Sequence, residues 1–239
     1  MGRLFIVRHG QASFLEPDYD RLSTKGEAQS RLLGEYWAGL GVVFDLVYTG
    51  PRKRQRDTAG IVGEVYRQAG LDWPEPVIVA DFDEFKAEAV LEHALAGLLK
   101  TDDHVRRLHQ DFQDARGTDD RFRTFQRVFE VVIGRWARRE LEVPGIEPWA
   151  DFCTRVQRGL ERLLDNGNGG RNLVIFSSGG PGGVAMKKAL DLSIDGTLKS
   201  AWMMRNSAYS EFLFSPERFT LSTYNANPHL TDPEFITYR

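Results

Sequence analysis

Short apolar runs rich in β-branched and aromatic residues alternate with amphipathic helical stretches along most of this chain. No other feature of the sequence limits the fold as much. Leu4-Phe5-Ile6-Val7, Leu46-Val47-Tyr48 and Val77-Ile78-Val79 each read as a strand. Leu173-Val174-Ile175-Phe176 is continuously apolar, the pattern of a central strand buried on both faces. Between these runs one helix opens at Ser23-Thr24-Lys25-Gly26-Glu27, where Thr24 and Glu27 have the spacing of a capping box, and another carries Thr58-Ala59. Phe212-Leu213-Phe214 and Thr220-Leu221-Ser222 close the sheet as an antiparallel edge. This alternation predicts a three-layer α/β/α fold around a mainly parallel sheet.

From about Lys86 to Trp149 the pattern changes. Val90, Leu91, Ala94, Leu95 and Leu98 share one helical face. Phe122, Phe125, Phe129, Val132, Ile133 and Trp136 share another. Arginines are dense here and alternate with acidic residues, as on a solvated face. The 239 residues therefore read as one domain, 1–239, with a helical insertion at about 86–149. A turn is predicted at Asn166-Gly167-Asn168-Gly169-Gly170. A net charge of -3 gives no reason to expect nucleic acid or an anionic membrane as partner. The single cysteine, Cys153, excludes an internal disulfide and fits a reducing compartment. Its helical spacing with Phe152, Val156, Leu160 and Leu163 makes it a core residue. No run has the length of a membrane span and no secretory signal is evident, so the cytoplasm is expected.

The chemistry gathers where strands end. The first strand runs into Arg8-His9-Gly10, the second into Arg52-Lys53-Arg54 and the long apolar one into Ser177-Ser178-Gly179. The turn Asp81-Phe82-Asp83-Glu84 supplies carboxylates. In a parallel sheet these turns share the carboxyl edge, where ligands bind. Guanidinium groups match phosphate oxygens two at a time, and a helix N-terminus adds oriented N–H donors. A pocket of two arginines, a histidine, a carboxylate and such donors calls for a phosphoryl group. The run Gly179-Gly180-Pro181-Gly182-Gly183 is no P-loop, because no Lys-Ser/Thr follows at the required spacing. His93, His104 and His109 are expected at the surface or in packing, and His229 in a structural role.

In order and spacing these motifs resemble those of the histidine phosphatase superfamily, whose best-known branch is the cofactor-dependent phosphoglycerate mutases. The matching segments are Leu4–Gly10, Leu22–Gln29, Val47–Arg54 with Thr58-Ala59, Phe82–Phe85, Asn206 and Tyr224–Leu230. The resemblance covers both ends of the chain but not the insertion. It implies that His9 is the nucleophile, that Arg8 and Arg54 bind the phosphoryl oxygens, and that Glu84 is the proton donor, with Asp81 and Asp83 as close competitors. Gly10, Ser178 and Gly179 would line the phosphate.

Ser178 departs from the pattern, for the family usually places a second histidine there. Serine carries no positive charge near neutral pH, and losing such a contact costs roughly 2–4 kcal/mol in the transition state. Ser178→His is accordingly expected to raise the rate of phosphoenzyme formation by roughly 10- to 1000-fold. The resemblance implies a phosphohydrolase, fully active if this branch of the family tolerates serine and of reduced activity if Ser178 is a changed residue. It would act on a small phosphomonoester or a phosphorylated protein through phosphohistidine. A phosphoglycerate mutase-type phosphotransferase and a non-catalytic phosphate-binding or interaction protein are the alternatives. No cofactor and no metal are implied, and a homodimer is compatible with the sequence.

Overall fold

The computed structural model describes residues 1–13, 20–118, 120–165 and 169–238. Strands β1 (Gly2–Arg8), β2 (Leu46–Thr49), β3 (Val77–Ile78), β4 (Asn172–Ser177), β5 (Tyr209–Ser215) and β6 (Arg218–Ala226) form one sheet in the order β3-β2-β4-β1-β5-β6. β1, β2, β3 and β4 pair in parallel, whereas β5 and β6 add an antiparallel edge. The run 173–176 lies in the middle of the sheet and is buried throughout, as its continuous apolarity predicts. β3 is shorter than its sequence signal. Only Val77 and Ile78 pair with β2, and both are exposed at the sheet edge.

Helices α1 (Thr24–Gly39) and α2 (Lys53–Gln68) cover one face of the sheet. Phe5, Val7, Val174 and Phe176 bury there against Leu33, Trp37, Val62 and Tyr66. Phe5 meets Trp37 and Phe44 edge-on. Each such side chain contributes about 1.5–3 kcal/mol of transfer free energy. Alternation along the strands turns Leu4, Ile6, Leu173 and Ile175 to the opposite face. There α7 (Gly179–Leu190) packs on β1 and β6, with α8 (Ile194–Met203) against it. The α1 cap differs from the expected box. Ser23, in extended conformation, is the N-cap and its Oγ accepts from Gly26 N at 3.1 Å, so Thr24 is already the first helical residue.

The chain forms two compact units, Met1–Glu84 with Thr154–Arg239, and Phe85–Cys153. The second contains α3 (Ala87–Thr101), α4 (Asp103–Asp114), α5 (Arg121–Ala137) and the start of α6 (Trp149–Asp165). An aromatic cluster of Phe85, Trp136, Trp149 and Phe152 fills its core. α3 and α5 follow their periodicity, except that Phe122 in the first turn of α5 is exposed. α4 has no clear apolar signal; Val105 is its only buried residue. Arg106, Arg123 and Arg138 form exposed ion pairs with Asp103, Asp120 and Glu140. Cys153 is buried in α6. Of the turn expected at 166–170, Asn166-Gly167-Asn168 lies outside the described residues, and Gly170 takes a φ of +85°. Among the described residues no helix is long and apolar enough to cross a membrane.

Candidate active site

β1 ends at Arg8, opposite Ser177 of β4, and delivers His9 to the carboxyl edge of the sheet. The backbone continues the pairing for one residue, with His9 N donating to Ser177 O at 2.9 Å. The chain then passes very close to the start of α1. A Cβ on Gly10 would stand 2.3 Å from Gly26 O, and one on Gly26 would stand 2.1 Å from Gln11 O. Only glycine allows both approaches. Gly10 N donates to Thr58 Oγ1 (3.1 Å), whose hydroxyl donates to Arg54 O (2.8 Å), so the turn is tied to α2. From behind, Ser207 N donates to the carbonyls of both Arg8 (3.0 Å) and His9 (3.2 Å), and Asn206 Nδ2 also reaches His9 O. Ser207 adopts φ +56°, a strained conformation for a residue with a side chain. Its hydroxyl pairs with His229 Nε2 at 2.8 Å.

The His9 ring is 4 % exposed and its two nitrogens have different partners. Nδ1 lies 2.7 Å from Gly10 O, which can only accept, so Nδ1 carries the proton. Nε2 accepts from Arg54 Nε at 3.0 Å and therefore presents its lone pair. Burial, then the cations of Arg54, Arg8 and Arg52, hold the His9 pKa well below the usual imidazole value. The ring is neutral at pH 7. Arg54 is itself buried. Its Nη1 contacts Asp20 Oδ1 at 2.8 Å, and Asp20 Oδ2 accepts from Lys53 N at 2.8 Å, which braces the start of α2. Arg8 is half-buried and its Nη1 donates to Met204 O.

On the other side of β1, the turn after β4 brings Ser178 and Gly179 to the same edge, both buried. Ser177 Oγ donates to Phe82 O (2.9 Å) and so draws in the acidic turn, a short 3-10 segment at Ala80–Phe82. Its carboxylates have separate tasks. Asp81 pairs with Arg158 and Arg162, and Asp83 with Arg52. Glu84 Oε2 accepts from Gly180 N (2.9 Å) at the N-terminus of α7. Arg155 steadies the turn, its Nη1 donating to the carbonyls of Ala80, Asp81 and Asp83. Gln55 Nε2 donates to Ser178 Oγ at 2.8 Å.

The groups named from the sequence at strand ends thus stand along one sheet edge, with His9, Arg8 and Arg54 in direct electrostatic contact. Sequence reasoning passed over Asp20, Gln55, Arg155 and Ser207. Gln55 carried a faint signal as an uncharged residue inside Arg52-Lys53-Arg54-Gln55-Arg56-Asp57, whereas the other three had none. Of the remaining histidines, His93 and His104 are exposed. His229 is buried, which pushes its pKa down to about 4.

A sequence model described as the histidine phosphatase superfamily (branch 1) matches residues 4–127 and 118–227. No curated protein sequence matches the chain. Among solved structures, YhfR of Bacillus stearothermophilus superimposes with a TM-score of 0.64 at 17 % identity, covering 96 % of this chain and 100 % of that one. Phosphoserine phosphatase of Entamoeba histolytica, solved with phosphoserine, gives 0.63 at 17 % identity, over 96 % and 100 % of the two chains. A mycobacterial glucosyl-3-phosphoglycerate phosphatase gives 0.60 at 18 %, over 94 % and 99 %. At such identities the likeness is one of fold.

Proposed function

The chain belongs to the histidine phosphatase superfamily, branch 1, and from that premise we propose that it is a phosphohydrolase. It removes phosphate from a small phosphomonoester or a phosphorylated protein through phosphohistidine. One observation carries this reading: a buried, neutral His9, protonated on Nδ1, offers its Nε2 lone pair beside two arginines. Nε2 attacks phosphorus in line as the bond to the leaving oxygen breaks. Arg54 transfers its Nε donor from the imidazole to a phosphoryl oxygen, which releases the lone pair for bonding. Arg8 and Arg54 then face the equatorial oxygens, over which the transition-state charge is spread. Ser178 and Gly179 N–H complete the cradle. Glu84 gives its proton to the leaving oxygen, then takes one from the water that hydrolyses phosphohistidine, returning His9 to its neutral form. Glu84 is preferred to Asp81 and Asp83 for that task because its carboxylate reaches Gly180 N, next to Ser178 and Gly179. The small phosphate esters named for two of the structural neighbours support a phosphomonoester substrate.

The test is turnover of a chromogenic aryl phosphate by the parent and by His9→Ala. The variant should fold and lose turnover; retained activity would overturn the reading. Stimulation by 2,3-bisphosphoglycerate would point to the mutase alternative instead.

A further inference from the structure

In the family this chain belongs to, the position of Ser178 usually holds a histidine, and its loss leaves a question of what replaces it. The answer lies on α2. Gln55 is completely buried and Ser178 is 1 % exposed. Gln55 Oε1 accepts from the backbone N–H of Arg52 at 3.0 Å. A backbone N–H can only donate, so the amide has one orientation, and Nε2 must be the group that meets Ser178 Oγ at 2.8 Å. The serine oxygen therefore accepts. Its own proton has no acceptor among the described residues. The neighbouring serine does not share this arrangement, because Ser177 spends its proton on Phe82 O. Ser178 stands one residue beyond the Arg8–Ser177 pair of the sheet, beside His9.

We propose that Gln55 and Ser178 act as a pair that takes the place of the second histidine. Gln55 is a positioning residue. It holds the serine oxygen from one side so that the hydroxyl proton is directed to a phosphoryl oxygen during transfer to His9. The inference rests on the phosphatase reading and adds a residue to it. It also changes what a restored histidine would do. An imidazole at position 178 needs space that the buried Gln55 side chain fills, so Ser178→His alone should not speed transfer.

A double-mutant cycle tests the pair. The rate of the first turnover is measured on an aryl phosphate for the parent, Gln55→Met, Ser178→Ala and the double variant. Each single change should slow transfer at saturating ester by about 10- to 100-fold, the range for one hydrogen bond to a charged group. Half-saturation should shift much less. The double variant should be no slower than Ser178→Ala by more than about twofold, since Gln55 acts only through the serine. Losses that multiply in the double variant would overturn the pairing. Where the methionine variant does not fold, Gln55→Glu keeps the length and the bond to Arg52 N–H. Its carboxylate takes the serine proton for itself, so transfer should fall by a similar factor, and a rate within twofold of the parent would overturn the proposal. A Ser178→His variant faster than the parent would do the same. His9→Ala separates the two levels: if it retains turnover, the phosphatase reading fails; if it is inactive while the cycle is additive, only the pair fails.

Discussion

In the proposed transfer Arg54 serves three groups in turn, the His9 ring and Asp20 in the resting chain and then the phosphoryl group. Its Nε donates to His9 Nε2, its Nη1 meets Asp20, and its fork would receive phosphoryl oxygens. A lysine supplies one compact charge and cannot span these directions. Arg54→Lys should therefore lower kcat/KM by about 10²- to 10³-fold, measured by steady-state kinetics on an aryl phosphate. A loss under threefold would show that charge alone suffices. His9 supplies a second expectation at this scale. Its pKa lies well below the ordinary 6.5, chiefly through burial and then through Arg54 and Arg8. Ring-proton NMR of the folded protein should show no His9 titration between pH 8 and 6, and a midpoint near 6.5 would contradict the neutral, desolvated ring. Arg8, His9 and Arg54 were legible in the sequence because each follows an apolar strand or opens the next helix. Asp20, Gln55 and Ser207 were not, because their contacts join segments far apart in the chain. Ser207 N, for example, reaches the carbonyl of Arg8.

Elements place these residues by close approach rather than by strong local preference. The junction of β1 with α1 depends on two facing glycines, Gly10 and Gly26. Gly10→Ala sets a methyl 2.3 Å from Gly26 O, backbone that cannot swing aside. It should cost about 1–3 kcal/mol or more, read from urea unfolding, and it should also displace His9. An unchanged midpoint would mean that α1 can slide away freely. The turn bearing Glu84 has its own brace in Arg155. Arg155→Met should reduce kcat several-fold while leaving inhibition by inorganic phosphate near the parental value. Equal losses in both would assign Arg155 to general stability. Strands and amphipathic helices could be read from periodicity, since β1, β4, α1 and α5 each bury a regular apolar pattern. α4 escaped because Val105 is its sole buried residue. β3 was overread because an edge strand can be apolar and still pair over only two residues. The α1 cap shifted by one residue because Ser and Thr stand side by side and both can cap, so only the backbone angles decide between them.

The whole molecule couples its folding to protons through two buried histidines. His9 and His229 are both held neutral in the folded chain, mainly by burial, and the second has its pKa pushed down to about 4. They are mechanically linked: His229 binds the hydroxyl of Ser207, whose backbone N–H holds the carbonyls of Arg8 and His9. In the unfolded chain each imidazole returns to about 6.5. Above that pH both states are neutral at these rings, and the histidines contribute no pH dependence. As pH falls below 6.5 the unfolded chain takes up protons that the folded one refuses, so stability declines. For His229 the decline ends near pH 4, where the folded ring also protonates. Each such histidine removes about 1.4 kcal/mol per pH unit inside its window, or roughly 3 kcal/mol in all for His229. Urea unfolding at pH 7, 6 and 5 should show this fall. The carboxylates and His9 contribute equally to parent and variant, so the difference between the two slopes isolates one group. In His229→Gln, which cannot titrate but can still bond to Ser207, the slope from pH 6 to 5 should be shallower by about 1 kcal/mol per unit. Parallel slopes would mean that His229 protonates in the folded state as readily as in the unfolded one. The C-terminal segment would then supply no proton-linked support to the backbone that carries His9.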